Sequence, residues 1–104
     1  MILINIASEN EEIIHKVVAI LLKEQLALDV NYKKNVKRLK NIDGQIKEHN
    51  LYVITAKTKA LLFSKIETIL KEHFKHQMPE LYSLPITLME LTQAEELKNN
   101  TQKI

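Results

Sequence analysis

Cysteine and tryptophan are absent from this 104-residue chain; glycine occurs once, proline twice, and aromatic residues make up only 5%. Without cysteine there is no disulfide, no thiolate metal ligand, no iron–sulfur cluster and no cysteine nucleophile. No apolar run approaches the ~20 residues needed to cross a bilayer, so no membrane span is predicted. Met1 to Ala7 (MILINIA) has no basic leading region and its apolar run stops at Ser8-Glu9. It reads as a strand rather than a secretion signal, and a cytoplasmic location is the expectation. Gly-rich phosphate loops, zinc-protease histidine spacing and a recognisable nucleophile–base pair are missing too, so the chain is expected not to be an enzyme. The formal charge of +2 is too small to imply nucleic acid or an anionic surface globally.

What is present is an ordinary globular mixture, 45% hydrophobic and 27% charged, in a length that suits one domain over residues 1–104 with a single core. Ile2 to Ala7 is almost continuously apolar and β-branched, as in a strand covered on both faces. Ser8-Glu9-Asn10-Glu11 reads as a capping box with Ser8 as N-cap. Ile13, Ile14, Val17, Val18, Leu21 and Leu22 then recur at helical spacing. Leu28, Val30 and Tyr32 alternate with polar residues and predict a second strand. Lys34-Asn35 and Asp43-Gly44 are turn candidates in a long β-ribbon, with Gly44 supplying the positive φ of a tight hairpin turn. Leu51 to Lys57 is a further strand, and Leu62, Phe63, Ile66, Ile69, Leu70 and Phe74 mark one face of a helix from about Lys59 to His73. Pro79 ends that helical stretch. Leu84, Ile86 and Leu88 predict a last strand, so the core spans about residues 2–89; residues 92–104 form a polar tail with at most a short helix before fraying.

This order predicts an α+β, ferredoxin-like split βαβ sandwich with both helices on one face of the sheet. Ile2, Ile4 and Ile6 point one way and Leu3 the other, while Tyr52, Ile54 and Ala56 oppose Leu51 and Val53. The central strands are therefore apolar on both faces, and two helices cover one. Self-association is the expected cover for the other, with a folded-back tail as the alternative.

Two local clusters carry candidate chemistry. His73 and His76 with Glu72 share helical spacing at the end of the second helix, and imidazole suits copper, nickel or zinc, with Asp29 as a further ligand from the sheet. The plainer reading is a pair of solvated histidines favoured by the helix dipole. His15 and His49 have no such company and are placed on solvated faces. Lys33, Lys34, Lys37, Arg38 and Lys40 put five positive charges into eight residues of the ribbon. With Tyr32 and Tyr52 as the only aromatics nearby, the stacking platform of an RNA-binding sheet is lacking, so the lysines read as a guard against edge-to-edge aggregation rather than a nucleic-acid site.

Leu26-Ala27, Val30-Asn31, Gly44 followed by Ile46, Glu48, Lys57-Thr58, Phe63, Pro79-Glu80-Leu81 and Leu84-Pro85-Ile86 resemble the divalent-cation-tolerance (CutA) family over about Ile2 to Met89. That resemblance implies a homotrimer of ferredoxin-like subunits, related in architecture to PII signalling proteins, in a non-enzymatic protein linked to copper tolerance. It also implies that Pro79 and Pro85 stiffen a segment that braces a neighbouring subunit, with Glu80 meeting an intersubunit lysine or backbone amide. The family's cysteine after Leu26-Ala27 is replaced by Asp29, its aromatic pair before the hairpin glycine by Lys40 and Ile42, and its histidine and tyrosine ahead of the Pro-Glu pair by Phe74 and His76. The soft copper ligands are thus gone, leaving Asp29 and His76 as a weak cation pair. The alternative is a small-ligand or protein-binding regulatory module of PII-like architecture with no metal role.

Overall fold

In the computed structural model, which describes residues 1–104, Ile2–Ser8 forms β1 and Glu11–Lys23 forms α1. The cap lies two residues later than the sequence suggests. Ser8 still pairs with Tyr52 in the ladder, so Asn10 takes the N-cap place. Its side chain accepts from the Glu12 amide at 3.0 Å, while the Ser8 hydroxyl accepts from the Asn10 amide. At the other end Gln25 adopts φ 54, and the amides of Leu26 and Ala27 donate to the Leu21 carbonyl. This closure holds Leu26 and Ala27 in the core and uses up the residues before the next strand, which begins at Asn31 rather than Leu28.

Strands β2 (Asn31–Ile42) and β3 (Gln45–Thr58) make the expected ribbon. Asp43 and Gly44 turn it, both at positive φ (53 and 81), as a two-residue hairpin turn requires. No atom lies within 4 Å of a Cβ placed on Gly44, so its need for glycine is conformational. Lys34-Asn35 is not a turn. It is a bulge, with the register slipping between Lys33 and Val36 and Asn35 at φ 58. Because β1 ends opposite Tyr52, the ribbon beyond Leu51 projects from the body. The Cα radius of gyration is 14.9 Å over a long axis of 48 Å, against about 13 Å for a compact chain of this length.

A 3-10 turn at Ala60–Leu62 leads into α2 (Phe63–Phe74), a second such turn spans Lys75–Gln77, and β4 covers Glu80–Pro85. Alternation predicts the last strand around Leu84 to Leu88, but Ile2 already faces Pro85. One further tie, from the Ile86 amide to the Met1 carbonyl, ends the pairing. Leu88 is left 90% exposed. Pro79 is buried just ahead of β4 and Pro85 closes it. That strand is paired on one side only, so the missing amide of Pro85 is tolerated, and Pro79 lies outside the ladder.

The sheet order is β2-β3-β1-β4, all antiparallel. Ile4, Ile6, Ile54 and Ala56 on one face meet Ile14, Val17, Leu21, Ile66 and Leu70 from the two helices, all at 2% exposure or less. The tail is more ordered than its polarity suggests: Leu91–Asn100 is a helix, α3. Glu90 caps it by accepting from the amides of Thr92 and Gln93, and Leu97 and Thr101 are buried. Gln102 then ties to the end of α1 through the carbonyls of Gln25 and Glu24.

Candidate functional site

Cross-strand register puts Leu3, Asn5 and Ala7 of β1 on the face away from the helices. Leu51, Val53 and Thr55 of β3, Val36 of β2, and Tyr82 and Leu84 of β4 lie beside them. No helix covers this face. The tail does not fold over it either, since α3 packs at the end of α1, and Tyr82 and Leu84 remain 45% and 53% exposed. The alternation read from the sequence therefore maps onto an open apolar surface.

Where β1 ends, the ribbon base is clamped to the start of β4. Arg38 Nη1 and Nη2 donate to the two Glu80 carboxylate oxygens at 2.8 and 2.9 Å, the parallel geometry that suits a guanidinium. The Arg38 hydrogen bonds hold Glu80 below the ordinary carboxylate range and Arg38 above its usual value, with partial burial opposing in both cases. Within the chain, then, Glu80 is met by an arginine of the ribbon. The two residues lie 42 positions apart on opposite edge strands, and no local pattern marks the pairing. On the same ribbon, His49 Nδ1 lies 2.9 Å from Glu9 Oε1, and His49 Nε2 is buried with no hydrogen-bond partner. A cleft of about 340 Å³ lies between these groups, lined by Ser8, Leu51, Met78 and Pro79.

His15 is not isolated either. Its Nε2 is 3.6 Å from Glu11 and 3.5 Å from the Tyr32 hydroxyl, which donates to Glu11 at 2.8 Å, while Lys34 reaches Glu11 at 3.2 Å. The Tyr32 and Lys34 bonds pull Glu11 below its ordinary range, and desolvation together with Glu11 pushes the Tyr32 phenol up to about 12. Lys34, Lys37 and Arg38 thus spend their charge on Glu11, Glu48 and Glu80. Much of the basic cluster is neutralised within the chain.

The candidate cation ligands are not gathered within one chain. Asp29 faces Lys57, Gln93 and Glu96 in a small cleft near the end of α1. His76 follows α2 close to the start of α1, with the thirteen residues of α1, roughly 20 Å of helix, between the two regions. His73 and His76 do not share a helix face, because α2 stops at Phe74 and Lys75 turns the chain at φ 43. His73 lines a separate groove with Glu12 and Lys16. No three His, Asp or Glu side chains converge.

Strand order, pairing and helix placement define a ferredoxin-like α+β protein with an extended β-ribbon. The model of the CutA1 divalent ion tolerance protein family matches residues 2–95, and the chain belongs to that family. Solved structures agree in fold. The divalent cation tolerance protein Cut A1 of Thermus thermophilus is 24% identical with a TM-score of 0.83, covering 98% of this chain and 100% of its own. CutA1 of Oryza sativa is 23% identical with a TM-score of 0.85, covering 99% and 94%. The periplasmic divalent cation tolerance protein CutA of Archaeoglobus fulgidus is 19% identical with a TM-score of 0.82, covering 98% and 100%. Among curated proteins none matches significantly.

Proposed function

We propose that this chain is a non-enzymatic member of the cation-tolerance family that works as a homotrimer, its open sheet faces turned toward one another. The observation that carries the reading is the uncovered apolar face, with Tyr82 and Leu84 about half exposed beside Val53 and Leu3, a surface that soluble monomers avoid. Unlike free edges, β2 on one side and β4 on the other, favour a closed ring of head-to-tail contacts over a two-fold dimer. Pro79, Glu80 and Pro85 stiffen the β4 edge that would meet the next copy. Weak contact with a divalent cation such as copper through Asp29 and His76 then requires the two residues to come from different copies. Cytoplasmic residence belongs to the same reading, in contrast to the Archaeoglobus neighbour, which is described as periplasmic.

Light scattering over a wide concentration range tests the assembly: a stable trimer is expected, and a lasting monomer refutes it. Calorimetric titration with copper, zinc and nickel tests the cation contact. Weak binding lost in both Asp29→Ala and His76→Ala is expected; the absence of heat for all three metals ends the metal role and leaves the trimer standing.

A further inference from the structure

The tail and the start of α2 form a groove that lies away from the ribbon base and apart from the proposed cation ligands. Its volume is about 420 Å³, and its lining combines Ala60, Leu61 and Ile104 with the stems of Lys59, Lys98 and Lys103. Cavities of a few hundred cubic ångströms are the size that encloses small organic ligands. Leu61 and Ile104 stand 74% and 69% exposed, so the apolar wall lacks a cover. Docking of α3 creates the groove. Leu97 and Thr101 are buried, and Lys59 Nζ donates to the carbonyls of Gln102 and Thr101 at 2.7 and 3.5 Å, which fixes the ammonium beside the apolar wall.

The charged side chains that line this groove are of one sign. None of the three lysines has a carboxylate side chain within ion-pair distance, so no acidic side chain offsets their charge at the groove. Desolvation, with Lys103 and Lys98 adding repulsion, holds the Lys59 ammonium below its ordinary range. Uncompensated ammonium groups around an apolar wall are complementary to an anionic head on an apolar stem.

We infer that this groove binds a free, small amphiphilic anion, a carboxylate on a medium-length hydrocarbon stem, with Lys98 and Lys103 taking the head and Leu61 and Ala60 the stem. A membrane surface would present the same head chemistry. A concave groove with an apolar wall, however, suits a single molecule rather than a flat array of headgroups. The inference stands independently of trimer and cation.

Titration of the full chain with decanoate, followed by calorimetry and by the amide resonances of Ala60, Leu61 and Lys98, tests it. One saturable site per chain is expected, weakening as salt is raised. Lys98→Gln and Lys103→Gln, both exposed, should each weaken decanoate about threefold, Leu61→Ser should weaken it as well, and Lys75→Gln at the far end should leave it unchanged. Acetate and decanol should each fail to saturate the site. Decanoate affinity unaltered by both lysine substitutions, decanol binding as well as decanoate, or retention on anionic vesicles without saturable decanoate binding would each overturn the inference.

Discussion

Val53 and Ile54 are neighbours in β3, equally β-branched and equally apolar, yet they point to different worlds. Ile54 is 1% exposed beneath the two helices, while Val53 lies half-buried on the face where Tyr82 and Leu84 are open. The same alternating chemistry is satisfied on one side by this chain's own helices and left open on the other. A strand apolar on both faces has two claims on partners, and two helices crossing with the same hand can answer one.

The comparison breaks most sharply under a charge placed on the open side. Leu84→Asp should leave the unfolding midpoint of the separated chain nearly unchanged. Burying the carboxylate in an interface costs several kcal/mol, so light scattering should find the assembly dispersed. Assembly that survives would mean the face is not a contact. Next in size, Ile54→Ala should cost about 3 kcal/mol in urea unfolding. Val53→Ala, one residue away, should cost about 1 kcal/mol or less under conditions that keep chains apart. Equal losses would erase the distinction between the faces.

A smaller effect belongs to the ribbon clamp. Glu80 is held below the ordinary glutamate range by Arg38, so the clamp contributes fully above that range and its contribution fades as pH falls through the depressed value. Glu80→Gln should therefore lower stability near neutrality by up to about 1 kcal/mol, the pair being about a third exposed. The loss should vanish in strong acid, where a pH series of urea midpoints should show the two proteins converging. Smallest is Tyr32, whose phenol is pushed up to about 12. Spectrophotometric titration should find it ionising late and show the delay reduced in Glu11→Gln. Any stability it adds is present below the ordinary tyrosine value and declines as pH rises through the shifted one.

The fold was largely legible because its signals are local. Period two in Ile2 to Ala7 and Leu51 to Lys57, helical spacing in the two helices and the Asp43-Gly44 turn each need only neighbouring residues. Errors fall where two local signals compete or where a distant partner decides. Ser8 has the chemistry of a cap but is claimed by the ladder. Lys34-Asn35 has the chemistry of a turn but forms a bulge, because the ribbon continues on both sides of it. Ile86 and Leu88 continue the alternation of Leu84, yet the ladder has already run to its end at Ile2 opposite Pro85. The tail has the composition of a fraying end, and one apolar contact at Leu97 with the ties from Gln102 is enough to dock it.

The charged groups show the limit more plainly. Arg38 with Glu80, His49 with Glu9, and Tyr32 with Glu11 join residues 21 to 42 positions apart, and no pattern along the chain marks them as partners. By itself the sequence determined the class of fold, the absence of thiol chemistry and the presence of two apolar sheet faces, since these follow from residue types and their periodicity. Tertiary structure alone decided which face the helices covered, how the basic ribbon was neutralised, and that Asp29 and His76 stand at opposite ends of α1. Distances between side chains are set by how elements pack, which periodicity does not encode.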